Sequence, residues 1–209
     1  MKQPVIAKFL RRYTDLPSAI DVLRNRRLTL LNPANWEDKN DRAAMRRFAA
    51  AEQGKSVLGL CFSQAAETFH HWKIFAPNSS GVSIVFWKEA LQKAVPEGNY
   101  RHKKVEYKSN VDFVSCYPSP WDVPFIKGAA YRHEIEYRII HVAEEPDLQA
   151  TSFDIDLPAI HSVILSPWLP KSLVDGVTQT LRSIDGCSEL FVAQSSVVEN
   201  EAWINCINR

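Results

Sequence analysis

The chain has 209 residues, 45% apolar and 23% charged, with a net charge of +1, which is the balance of an ordinary globular protein. Twelve prolines and seven glycines form no low-complexity segment. The longest apolar run, Val57 to Phe62, falls far short of the ~20 residues a membrane helix needs, so disorder and a helical span are excluded. No apolar stretch of secretory type follows Lys2, Lys8, Arg11 and Arg12, which predicts a cytoplasmic protein, and one α+β domain over residues 1–209 is expected.

In chain order, Lys8 to Thr14 reads as a short strand whose end presents Arg12 and Thr14 together. Thr14-Asp15-Leu16-Pro17-Ser18 is a helix start, with a capping residue and Pro in the first turn, and the helix runs to about Asn25. Leu28 to Leu31 is a strand, Asn32-Pro33 a turn, Trp36 to Asp41 a polar loop beside an aromatic anchor, and Arg42 to Gln53 a helix stopped by Gly54. Ser56 to Phe62 is a buried strand, and Ser63 opens a helix reaching about Phe75. After a turn at Pro77 to Gly81, a strand from Val82 to Trp87 puts Val82, Ile84 and Phe86 on one face. A helix at 88–95 and a strand at 100–107 follow, and Ser109 to Pro124, with three prolines, is irregular. His133 to Val142 is the clearest β run; strands at about 152–156, 160–165 and 189–194 and a helix at about 171–183 complete the chain. Short strands without strict βαβ alternation favour an α+β fold with a split, mainly antiparallel sheet and flanking helices.

Several chemistries are excluded by pattern. The seven glycines never form G-x-G, which removes the dinucleotide fingerprint and the phosphate loops. Neither H-E-x-x-H nor G-x-S-x-G occurs. Cys61, Cys116, Cys187 and Cys206 form no C-x-x-C pair and read as reduced, mostly buried thiols. No histidine pair has diagnostic ligand spacing, so no metal is expected.

Two features carry chemistry. On a strand through Tyr131 to His141, a period of two puts Ile135, Tyr137 and Ile139 on a core face and Glu134, Glu136 and Arg138 on the other. Two carboxylates about 7 Å apart beside a guanidinium can hold one acid ionised against a sugar hydroxyl; a solvent-facing strand with a cross-strand ion pair is the plainer reading. The second feature is charge distribution. Residues 1–50 hold eleven Lys/Arg against five Asp/Glu, and residues 140–209 three against ten. Arg42, Arg46 and Arg47 are candidate nucleic-acid contacts, and a solvated face paired with the acidic C-terminal part is the alternative.

Arg12-Tyr13-Thr14 before a helix, Trp36 to Asp41, Cys61-Phe62-Ser63, Trp72 to Phe75, Gly81 to Phe86, Val105-Glu106-Tyr107, Lys127 to Ile139 and Ile160 to Pro167 stand in an order that resembles a bacterial family catalogued as domain of unknown function 2971. The departures are a scrambled loop at Glu37 to Asp41, Phe75 in place of Tyr and Tyr131 in place of Trp. An Arg with Tyr-Thr before a helix, a Ser ending a central strand and an E-x-E on a later strand is also similar in order to the R-S-E arrangement of ADP-ribosyltransferases.

That second resemblance implies NAD as substrate, bound in a cleft of the split sheet, and no metal. Arg12, with Tyr13 and Thr14, would hold its phosphate or ribose, Ser63 would support the nicotinamide ribose, and Trp72 or Phe75 would wall the nicotinamide. Glu136 would be the catalytic carboxylate and Glu134 would face the acceptor. The resemblance does not name the acceptor; the arginine excess near the N-terminus points to a nucleic acid, RNA favoured over DNA or protein. A toxin or anti-phage effector with a neutralising antitoxin follows by analogy. A non-catalytic binding or regulatory module, and a nuclease built on His71, His133 and the carboxylates, are the competing classes.

Overall fold

The computed structural model describes residues 8–53, 55–115 and 118–207; the helix stop expected at Gly54 and the thiol of Cys116 lie outside them. Along the chain run β1 (Phe9–Asp15), α1 (Leu16–Asn25), β2 (Arg27–Leu31), α2 (Lys39–Ala51), β3 (Ser56–Ser63), α3 (Phe69–Phe75), β4 (Gly81–Trp87), α4 (Lys88–Ala94) and β5 (Tyr100–Lys104). There follow β6 (Glu106–Lys108), α5 (Asn110–Ser115), β7 (Ile126–Gly128), β8 (Glu136–Ala143), β9 (Ala150–Asp154), β10 (Ile160–Leu165), α6 (Lys171–Arg182), β11 (Val192–Gln194) and α7 (Glu201–Ile207). The chain divides into two compact units, one of Met1–Arg27, Ala66–Leu91 and Ile155–Arg209, the other of Leu28–Ala65 and Gln92–Asp154.

In the first unit the strands lie in the order β11-β10-β4-β1. β1 and β4 are antiparallel from Phe9 opposite Trp87 to Asp15 opposite Gly81, β10 is antiparallel to β4, and β11 is parallel to β10. Helix α1 starts where expected because the Asp15 carboxylate accepts from Ser18 N–H at 2.8 Å, with Pro17 in the first turn. Tyr13, Trp72 and Ala76 form a buried cluster with Ile164, Trp168 and Val197 against it.

In the second unit the order is β9-β2-β3-β8-β5. β3 and β8 pair antiparallel over their full lengths, from Ser56 opposite Ala143 to Ser63 opposite Glu136. Both are buried on nearly every residue, β3 as a largely apolar run and β8 with Glu136 and Arg138 buried on one face. Met45 and Phe48 of α2 pack on Val57, Val123, Phe125, Ile140 and Val142. β6 and β7 form a separate parallel pair. The fold is a mixed α+β one with mainly antiparallel sheets and flanking helices, as expected.

Local expectations differ in several places. Helix α2 begins at Lys39, not Arg42, because Asp38 caps it by accepting from Asn40 N–H, and this draws Asp41 into the first turn, where it is buried. The helix expected from Ser63 begins only at Phe69, capped by Thr68, since Ser63 completes β3 and uses its hydroxyl elsewhere. The stretch after Ser109 is not wholly irregular: Asp112 accepts from Ser109 N–H and Oγ, and its own N–H donates to Ser109 Oγ, which starts α5. The thiols are not mostly buried: Cys187 is, Cys61 is half-buried and Cys206 is exposed. Among the described residues no helix is long and apolar enough to cross a membrane.

Candidate active site

Five charged side chains converge in the second unit. Lys127 Nζ lies 2.6 Å from Glu134 Oε2, 3.1 Å from Glu136 Oε2 and 3.4 Å from Asp41 Oδ2. Arg138 grips Glu136 in a fork, Nε to Oε1 at 2.7 Å and Nη2 to Oε2 at 2.9 Å. It also donates from Nη2 to Asp41 Oδ2 at 3.0 Å and from Nη1 to the Pro124 carbonyl at 2.7 Å. Arg138 is fully buried and Glu136 4% exposed, so this is a desolvated network whose three acids outnumber its two cations.

The backbone brings the acids there by a reversal that a regular strand would not make. A 3-10 turn over Ala129–Glu134 ends at Ile135 with φ 43° and ψ 52°. A left-handed β-branched residue costs on the order of 1–3 kcal/mol and persists only when its surroundings hold it. The Ser63 hydroxyl donates to the Glu134 carbonyl at 2.6 Å, Gln64 N–H donates to the Ile135 carbonyl at 2.9 Å, and Glu136 N–H donates to the Tyr107 hydroxyl at 2.8 Å. The expectation that Glu134 and Glu136 share one strand face by period two is therefore overturned: β8 starts at Glu136, and Glu134 belongs to the preceding turn. Glu136 and Arg138 do share a face, but it lies under α2 and not in solvent. The Trp36 ring stands over the Arg138 guanidinium at 5.1 Å, and it can do so because Gly59 has no Cβ, which would come within 2.8 Å of that ring.

Burial pulls the two glutamates' affinities for protons up, and their partners pull unequally back. For Glu136 the charge and fork of Arg138, with Lys127, outweigh desolvation and bring its pKa down to about 2. For Glu134 desolvation prevails over Lys127, and its pKa is raised. Lys127 is kept charged well above its ordinary range, because three carboxylates overcome the burial that opposes its charge. Burial pushes the Tyr107 hydroxyl up to about 12. The two neighbouring acids are thus shifted in opposite directions, a split that acid/base pairs display.

Ser63, Glu134 and Glu136 are brought together, Ser63 lying opposite Glu136 in the β3/β8 register. Arg42, Arg46 and Arg47 stand on α2, the first half-buried and the other two exposed. In the first unit, β1 puts Arg12 and Thr14 on one face and Tyr13 on the other. Tyr13 stacks on His71 at 5.6 Å between ring centres, meets Trp72 edge-on at 5.2 Å and lies 6.2 Å from Phe75. Trp72 is fully buried, its Nε1–H donating to Glu67 at 2.6 Å, and fills the core, whereas Phe75 is exposed. Arg138 is legible beside the glutamates in the sequence, whereas Asp41 and Lys127, though within the segments Trp36 to Asp41 and Lys127 to Ile139, carry no local mark of a site role: Asp41 reads as one of several acids in a polar loop. Among the described residues no group of three His, Cys, Asp or Glu is arranged to hold a metal ion.

Fold and site together define a mixed α+β protein with a buried, lysine-bridged pair of carboxylates at the start of a central strand. No family model matches the chain, and no curated protein does, so the resemblance to domain of unknown function 2971 rests on the quoted residues alone. Solved structures of DarT from Thermus sp. 2.9 are similar to it at low level. The complex with NAD+ has 10% identity and a TM-score of 0.48, covering 93% of this chain and 98% of that one. The complex with ADP-ribosylated ssDNA has 9% identity and a TM-score of 0.46, covering 90% and 94%. Likeness at this level assigns neither family nor activity to the chain.

Proposed function

We propose that this chain is an ADP-ribosyltransferase that takes NAD as substrate and a nucleic acid as acceptor. The observation that carries the reading is the pair of glutamates sharing Lys127, with Glu136 also held in the Arg138 fork. In such a transfer the bond from the ribose C1′ to nicotinamide breaks with both electrons leaving on nicotinamide. Positive charge then builds on the ribose, and a nucleophile of the acceptor bonds to C1′ and loses a proton. Glu136, ionised across the physiological range and fixed by the Arg138 fork, supplies a preorganised negative charge for that ribose. Glu134, ion-paired with Lys127 and with a proton affinity that burial raises, takes the acceptor's proton on its carboxylate. Ser63 is the residue proposed to contact NAD beside the glutamates, and Arg42, Arg46 and Arg47 to contact phosphates. Tyr13 and Trp72, both core of the first unit, are left out of that set. The matched DarT structures are complexes with NAD+ and with ADP-ribosylated ssDNA, and nothing in this chain's geometry favours RNA over DNA. A transferase acting on the cell's own nucleic acid is toxic, so a neutralising protein partner belongs to the proposal.

The test is release of nicotinamide from labelled NAD with single-stranded DNA, RNA or protein as acceptor, for the wild type, Glu134→Gln and Glu136→Gln. Labelled nucleic acid with the wild type and a drop of about a hundredfold with Glu136→Gln is expected, matching a transition-state contribution of roughly 3 kcal/mol. Near-normal turnover in Glu136→Gln would sink the assignment. A second reading is a binding or regulatory module, favoured by one observation: both oxygens of Glu136 are already taken by Arg138 in the core. Absence of nicotinamide release with every acceptor selects it.

A further inference from the structure

The edge of the second unit's sheet carries a feature outside the carboxylate cluster. Strand β5 pairs with β8 alone among the described strands, and its sequence from Tyr100 to Lys104 places Arg101, Lys103 and Lys104 in solvent. Arg101 lies opposite Ile140 and Lys103 opposite Arg138, so both share the sheet face that bears Glu136 and Arg138. From Arg101's register position to that of Glu136 is four residues of strand, about 13 Å. The chain beyond β5 runs on to the start of β8, since Val105 N–H donates to the backbone carbonyl of Glu136 at 2.9 Å.

Beside this row stands Trp121, 47% exposed. Phe48 meets it edge-on at 6.0 Å, and the Arg101 guanidinium sits 5.3 Å from the Phe48 ring centre and 5.4 Å from that of Trp121. Trp121 is thus fixed from within while much of its surface faces water. Arg46 and Arg47 expose two further cations on α2, the helix that carries Phe48. Lys103 pairs with Asp122 at 3.2 Å, an exposed pair of the kind that contributes little, and Arg101 pairs at 3.1 Å with Glu52, whose side chain is 15% exposed.

We infer that Arg101, Lys103 and Trp121 form a track for single-stranded nucleic acid, in which cations follow the backbone, Trp121 stacks a base, and the strand is led toward Glu136. Resting on the proposed activity, it names the surface that would present the acceptor. A merely anti-aggregating edge explains the lysines. It does not explain an exposed tryptophan pinned between a phenylalanine and an arginine, which is the pairing of aromatic platform and positive groove that single strands use.

The test is fluorescence anisotropy without NAD, using labelled single strands of DNA and RNA of about 12 nucleotides, a duplex, and an acidic peptide. Single strands should bind, and binding should fall steeply between about 50 and 200 mM salt. Trp121→Ala should weaken it roughly tenfold, Trp121→Phe should retain most of it, and Arg101→Glu with Lys103→Glu should weaken it and flatten the salt dependence. Single-strand binding indifferent to these changes, or an acidic peptide bound as well as the oligonucleotide, overturns the inference. Should a variant fail to fold, photo-crosslinking of the wild type decides: a crosslinked peptide containing Trp121 supports the track, and crosslinks only elsewhere refute it. Binding with these sensitivities but no transfer leaves the track standing and removes the activity; transfer with an insensitive Trp121 does the reverse.

Discussion

Glu136 and Arg138 are each other's principal partner in a place where neither can be hydrated. Removing one partner of a buried pair typically costs about 3–5 kcal/mol, because the other is left charged and uncompensated. Glu136→Gln is therefore expected to lower the melting temperature as well as activity, and activity should be measured below its transition. Joint replacement, Glu136→Met with Arg138→Leu, should recover much of that loss, since an apolar pair carries no desolvation penalty; denaturant titration of the two singles and the double forms the cycle. Acid titration gives an independent check. Glu136 has a folded pKa of about 2, below its ordinary carboxylate value of 4.5, so its contribution to stability is complete above about pH 4.5 and is lost as pH falls toward 2. At about 2.5 pH units this amounts to roughly 3 kcal/mol. Glu134 acts in the opposite sense, since its raised pKa stabilises the fold at low pH and that contribution declines as pH rises. The acid limb of the wild-type profile should be shallower in Glu136→Gln, and an unchanged limb would place the titration on other carboxylates.

At the scale of elements, the turn before β8 is the part that departs from regular geometry. Ile135 is half-buried and left-handed, so Ile135→Gly loses some apolar contact and relieves backbone strain. The two should nearly cancel, giving a stability change within about 1 kcal/mol. Ile139→Ala, in the fully buried middle of β8, should cost about 2–5 kcal/mol. Equal losses at the two positions, measured by urea unfolding, would show that Ile135 is not strained. Gly59 makes a comparable test of close approach. Ala at that position drives a methyl into the Trp36 ring and should cost about 1–3 kcal/mol, and movement of that ring off Arg138 should appear as a change in tryptophan emission.

For the whole molecule, charge along the sequence does not translate into charge on a surface. The arginines of the first fifty residues are divided between the units, and Arg26 pairs with Asp185 from the acidic C-terminal part at 2.9 Å. Arg46 and Arg47 are exposed, so Arg46→Glu with Arg47→Glu should leave stability within about 0.5 kcal/mol while Phe48→Ala between them and the core costs about 3–5 kcal/mol. A large loss from the charge reversal would make those arginines structural and withdraw them from phosphate binding.

What the amino-acid sequence determined by itself was local. Asp15 with Pro17 starts α1, the apolar run at Val57 to Phe62 is β3, and the alternation of Glu136 with Tyr137 and of Arg138 with Ile139 assigns their faces, because caps, turns and strand periodicity act within a few residues. Tertiary structure alone decided which face is buried and what sits opposite it. Asp41 becomes a partner of Arg138 only when α2 lies on β8, and Lys127 meets three acids only when β7 and the turn at Ile135 bring separate segments together. Those meetings are between residues up to 97 positions apart in the chain. No periodicity records them, since they are selected by the cost of leaving any one of those charges buried without the others.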